Sequence, residues 1–225
     1  MTSTDGEWPP YDGFGSKDHL HAIGMIAAIW TSIERRYQAF IQLLFPTNVK
    51  AAVKIFELLG NEGRWGLIHD ELAPTLPPVE ADLVEYFLKC AAICKENRNA
   101  VMHAHIFIVE DPNNIGMNKL SSGTGITKQY QFDISAIRAI ADDAHNTQQF
   151  GLNLWASISL RMSNEFWAQQ GTQPQAFLPL PRKPVQPRKW DLRSLKHQSD
   201  DQLQPEPPPK LSRKGRKGQP RAPRR

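Results

Sequence analysis

Between Ile23 and Leu44 apolar side chains return every three or four residues: Ile23, Ile26, Ala27, Trp30, Ile33, Tyr37, Phe40, Ile41 and Leu44. On a helix of about 3.6 residues per turn, that spacing lays one apolar stripe along one side and leaves the other side polar. Such a stripe must be buried against partner helices, which commits the chain to a bundle. Pro46 ends the helix, because it can neither donate to the ladder nor fit the preceding turn. Glu34-Arg35-Arg36 sits in the middle of the stripe's length, where charges would be costly in a bilayer, so the helix belongs to a water-facing bundle.

The remainder reads as companions for that stripe. A second helix is expected from about Asn48 to Leu59, with Val49, Val53, Phe56 and Leu59 inward and Gly60 as its C-terminal cap. A short helix over 62–73 leads to a break from Pro74 to Pro78. After Pro77-Pro78, Glu80 and Asp82 suit the positive start of a long helix that turns Leu83, Phe87, Cys90, Ala91 and Cys94 inward. Ile106 to Glu110 reads as a strand, Asp111-Pro112-Asn113-Asn114 as a turn, and 125–132 as a returning strand. A last helix over about 134–168 carries Ile134, Ile137, Ala141, Ala144, Trp155, Ile158, Met162 and Phe166, with Gly151 as its weak point. The fold class predicted is all-α: an antiparallel helical bundle with a small β-hairpin insertion at about 106–132 and a disordered C-terminal tail. The boundaries are a flexible lead-in over 1–17, the helical domain over 18–169 and the tail over 170–225.

Charge divides the chain at the same place. Residues 170–225 hold 14 of the 27 Lys and Arg and only four of the 23 acids, with 11 of the 18 prolines and two aromatics, Phe177 and Trp190. Such a segment has too little apolar surface to offset the entropy of folding alone. Arg213, Lys214, Arg216, Lys217, Arg221, Arg224 and Arg225 make its end a candidate nucleic-acid contact, and Lys189 to Lys196 could form a helical turn on a partner. The first residues, MTSTDGEWPPYDGFG, lack the pattern of a secretion signal, so a cytoplasmic protein without a membrane partner is expected. Cys90 and Cys94 read as reduced core thiols. No spacing of ligands suggests a metal, and no glycine-rich loop or nucleophile elbow suggests a cofactor or a nucleotide-fuelled reaction.

The chemistry concentrates in Arg98-Asn99-Ala100-Val101-Met102-His103 at the end of the long helix. A fixed cation beside a titratable imidazole can cleave RNA without a metal: the base takes the 2′-hydroxyl proton while the cation stabilises the phosphate oxygens. The Arg-to-His spacing recurs at Arg64 and His69, but there Trp65, expected to be buried, follows the arginine. Requiring Asn after the Arg lowers the chance occurrence from about 0.4 to roughly 0.02 per chain of this composition.

This R-N-x-x-x-H run in a helical chain resembles the signature of the HEPN superfamily, although Ala104-His105 stands where the family often has glycine. The resemblance implies a metal-independent endoribonuclease acting through Arg98, Asn99 and His103 at a composite cleft of a homodimer, leaving 2′,3′-cyclic phosphates. It further implies a role in RNA restriction, as a toxin or in antiphage defence, with RNA and an unidentified regulatory protein as partners. An ideal helix sets Arg98 and His103 about 140° apart, which also argues for two copies sharing a cleft. Glu34 and His105 are candidate orienting groups. The plainer alternatives are that Arg98 forms a structural ion pair with Glu34 and that His103 caps the helix. The rival reading of the whole chain is a non-catalytic helical dimer, a binding or scaffold module with a basic tail.

Overall fold

The computed structural model describes residues 16–108, 114–120 and 127–190. Helix α1 spans Lys17–Leu44 and starts at Ser16, whose hydroxyl accepts from the His19 amide. Helix α2, Val49–Leu58, is capped by Asn48, which accepts from the Ala51 amide at 3.1 Å. Gly60 does not close α2 as expected. Leu59 ends that helix in an extended conformation, and Gly60, at φ −67°, opens α3, Asn61–Leu67. A π-helical turn, Ile68–Leu72, and a 3₁₀ turn, Ala73–Thr75, lead to α4, Pro78–Met102, which begins with proline where a missing N–H costs nothing. Helix α5 spans Ile134–Gln169 and is capped by Asp133. Among the described residues no helix is long and apolar enough to cross a membrane.

Contacts fix the helix directions. Asp18 and Arg138, at the starts of α1 and α5, pair at 3.0 Å, and further along Arg36 of α1 lies 6.0 Å from the Trp155 ring of α5, so these two helices run the same way. Glu80 at the start of α4 meets Arg161 late in α5 at 2.6 Å, so α4 runs against both. The main core lies between the three, where Phe87 contacts Tyr37 and Phe40 at centroid distances of 5.9 and 5.3 Å. Burying a ring such as Phe87 stabilises the fold by about 2–3 kcal/mol. Gly151 is no weak point: α5 is continuous through it, and its bare Cα lets the Phe87 ring lie against the helix.

The insertion is larger than the expected hairpin. Three antiparallel strands, β1 His105–Ile108, β2 Asn114–Leu120 and β3 Thr127–Asp133, form a sheet in the order β1-β2-β3. β2 begins within the stretch read as a turn, with Ile106 opposite Met117 and Ile115 opposite Phe132. Ile115, Met117 and Phe132 are buried on Ala22, Ile26, Val101, Ile137 and Ile140, forming a second core where α4 ends and α1 and α5 begin.

The ordered chain also continues beyond Gln170, the residue at which the disordered tail was expected to start. Residues 172–190 form no helix or strand but run as a strap along α4 and α5. Asn164 holds Gln175 by both amide groups, Ser157 donates to Pro179 O, Tyr86 donates to Pro184 O and Asp143 accepts from the Arg188 amide. These bonds reach the strap's main chain, which suits a proline-rich segment without internal hydrogen bonds. Residues 191–225, with all seven basic residues proposed for nucleic acid, lie outside the described residues, as do residues 1–15 of the lead-in.

Candidate functional site

Helix α4 stops at Met102 because the chain must turn into β1. His103 takes the C-cap position at φ −105°, ψ 8°, with its N–H still bonded to Asn99 O. Arg98 lies on the margin of the buried stripe and reaches along the last turn. Its Nη1 donates to Asn99 Oδ1 at 2.9 Å and stands 3.3 Å from His103 Nε2. The expected 140° separation therefore does not keep the two groups apart: a long guanidinium side chain at the end of a helix bridges it within one copy. Since guanidinium can only donate, Nε2 is the acceptor in this contact and carries the lone pair that a general base uses.

Arg98 Nε is buried and has no acceptor, whereas His103 is exposed and Asn99 half-buried. Among the described residues no carboxylate pairs with Arg98. Glu34, expected to pair with Arg98 or His103, instead contacts Arg64 Nη1 at 3.4 Å. Arg64 also donates from Nε to Phe56 O and lies 3.8 Å above the Phe56 ring, so this second arginine of matching spacing is structural. Trp65, expected inside, is 37% exposed and stacks on His69. His105 opens β1 opposite Asn118; the orienting role expected of its side chain lies outside the described residues.

The chain was compared with family models, with curated proteins and with solved structures, and nothing matched.

Beside the motif stands a residue that the sequence reading passed over. Asn97, only 1% exposed, donates to Arg188 O at 2.9 Å and accepts from the Trp190 amide at 3.1 Å. Trp190 packs on the second core, and the Arg188 guanidinium lies 4.7 Å from its ring. The strap is thus fastened one residue from Arg98. A polar residue within an apolar helical stripe was the available signal, since a buried amide demands partners.

The cysteines are core groups, as expected. Cys90 and Cys94 are buried and free, and Cys94 Sγ lies 3.4 Å from Thr147 Oγ1. Burial pushes the Cys94 thiol up to about 12, outweighing the Thr147 contact. Among the described residues no group of three or more His, Cys, Asp or Glu could hold a metal ion.

Proposed function

We propose that the chain is a metal-independent endoribonuclease of HEPN type acting at Arg98, Asn99 and His103. The observation that carries the reading is the contact of Arg98 Nη1 with both Asn99 Oδ1 and the exposed His103 Nε2. An arginine that no carboxylate pairs with among the described residues, beside an exposed imidazole, suits a phosphodiester: the guanidinium holds a nonbridging oxygen and Asn99 steadies the guanidinium.

In the proposed reaction His103 Nε2 leaves Arg98 and takes the 2′-hydroxyl proton, the 2′-oxygen bonds to phosphorus, and the bond to the 5′-oxygen breaks. The leaving oxygen needs a proton at the same time. One imidazole cannot be base and acid in a single step, and a second copy's His103 would supply the acid, which is the chemical reason to retain the composite homodimer. The products end in a 2′,3′-cyclic phosphate and a 5′-hydroxyl. RNA restriction in the cytoplasm, under an unidentified regulatory protein, is the setting that the resemblance suggests.

The test is cleavage of a mixed RNA pool in excess EDTA by the full chain, Arg98→Ala and His103→Ala, with product ends mapped and mass in solution measured. Metal-independent cleavage with cyclic ends, lost in both variants, is the expected result. Folded, inactive protein in all three samples would overturn it in favour of the non-catalytic scaffold with a basic tail.

A further inference from the structure

A cleft of about 700 Å³ lies along the outer face of α4, with Trp65 and His69 on one side and the strap's Lys183 and Lys189 on another. Its platform is aromatic. The Trp65 and His69 rings are stacked at 4.7 Å and 12° between planes, yet Trp65 keeps 37% of its surface in solvent. Tyr86 also lines the cleft, with Lys183 Nζ 5.0 Å from its ring. An indole held flat by a neighbouring ring and left partly open is a surface on which another planar group can stack.

The charges indicate which part of a nucleotide belongs there. Lys183 neutralises Asp82 at 2.7 Å and Lys189 neutralises Glu96 at 2.6 Å. The other two charged lining residues, Glu85 and Lys89, are of opposite sign. The cleft has no net charge with which to attract a phosphate, whereas a neutral aromatic base gains from stacking without needing one.

The position of the cleft links it to the motif. Asp82, Lys89 and Glu96 recur every seven residues on α4, and the next member of that row is His103; Glu85 and Ala92 lead in the same way to Asn99. Rows seven apart drift only about 20° per step, so the helix face that floors the cleft continues to the two polar motif residues. Glu96, the lining residue of α4 nearest the motif in sequence, precedes His103 by two helical turns, about 10 Å along the axis.

We infer that the Trp65–His69 cleft is a stacking subsite for an unpaired nucleobase of an RNA strand whose scissile phosphate lies at Arg98 and His103. The inference rests on the nuclease reading and adds a base-stacking subsite away from the scissile phosphate, with Trp65 as the residue that forms it. Base stacking on an aromatic side chain is lost on replacement by alanine at a cost of about fivefold to a hundredfold in affinity.

The probe is a short 2′-O-methyl oligoadenylate containing 2-aminopurine, which lacks the nucleophilic hydroxyl and cannot be cleaved. Its binding and fluorescence quenching are measured with the full chain, Trp65→Ala and Trp65→Phe, at low and at about 0.5 M salt, where contacts to the basic tail weaken. Trp65→Ala is expected to lose affinity in that range and to lose the quenching at both salt concentrations, while Trp65→Phe retains most of both. Unchanged binding and quenching in Trp65→Ala, with RNA cleavage intact, would overturn the subsite and leave the nuclease standing. A wild-type chain that neither binds the probe nor cleaves RNA would overturn both. Equal melting temperatures show that an effect is local, and a loss of affinity without a loss of quenching would reject stacking.

Discussion

Gly151 lies against the Phe87 ring so closely that a methyl group on its Cα would stand 2.4 Å from Phe87 Cε2. Neither partner can yield easily, because Phe87 is fully buried between Tyr37 and Phe40. Alanine at a helical glycine ordinarily gains about 0.5–1 kcal/mol. Here overpacking, at about 1–3 kcal/mol, is the larger effect. Gly151→Ala should therefore lower the denaturant midpoint, and a higher midpoint would show that α5 moves away from Phe87 without penalty.

Asn97→Ala removes both bonds that fasten the end of the strap, leaving Arg188 O and the Trp190 N–H without their partner. Loss of a buried hydrogen-bonding partner costs about 1–3 kcal/mol. The strap should then open locally while the bundle stays folded. Trypsin cutting after Arg188 and Lys189 is expected to speed up by tenfold or more; an unchanged rate would mean that the remaining contacts, among them those of Asp143 with the Arg188 amide and Glu96 with Lys189, hold the strap without Asn97.

Asp143 has its carboxyl pushed above the ordinary value, first by burial and then by Asp142, although the Arg188 amide pulls the other way. A carboxyl raised in the folded state makes its ionised form a cost, fully present at neutral pH and absent once pH falls below the ordinary aspartate value. Asp143→Asn keeps an acceptor for the Arg188 amide and removes the charge. It should raise the melting temperature at pH 7, with the gain shrinking as the solution is acidified toward pH 4. A destabilised variant at pH 7 would show that the charge itself holds the strap.

Cys94, with its thiol pushed from 9.0 up to about 12, has on the order of a thousandfold less thiolate near pH 8 than an ordinary cysteine. Iodoacetamide should label both buried thiols only through opening of the fold, so that labelling speeds up with denaturant. Labelling that rises tenfold per pH unit, independently of denaturant, would contradict this.

The long helices were legible because their stripes and proline stops are local. The stripe from Ile23 to Leu44 is found as expected, and α4 begins at Pro78, the last residue of the expected proline break. β2 was not legible: Asn114, Gly116 and Asn118 favour turns, and only burial of Ile115 and Met117 against the helices makes the segment a strand. The strap was equally hidden, since it is ordered by buried polar groups far away in sequence, such as Asn97 and Asn164. In the candidate site the residue types were legible and their geometry was not. A helical wheel places Cα atoms, whereas the contact between Arg98 and His103 depends on where the helix ends and how far a guanidinium reaches. Glu34 was misplaced for the same reason: many cations can approach α1, and the fold brings Arg64.

The strap is gripped through peptide groups, so its tolerance to change should be lopsided. Most exchanges of one side chain for another between Thr172 and Pro187 leave every hydrogen-bonded grip in place. One residue added between Pro179 and Pro184 would shift each later carbonyl past its clamp and carry Trp190 off Asn97. Over this stretch chain length, more than lettering, is what descent with change would have to preserve.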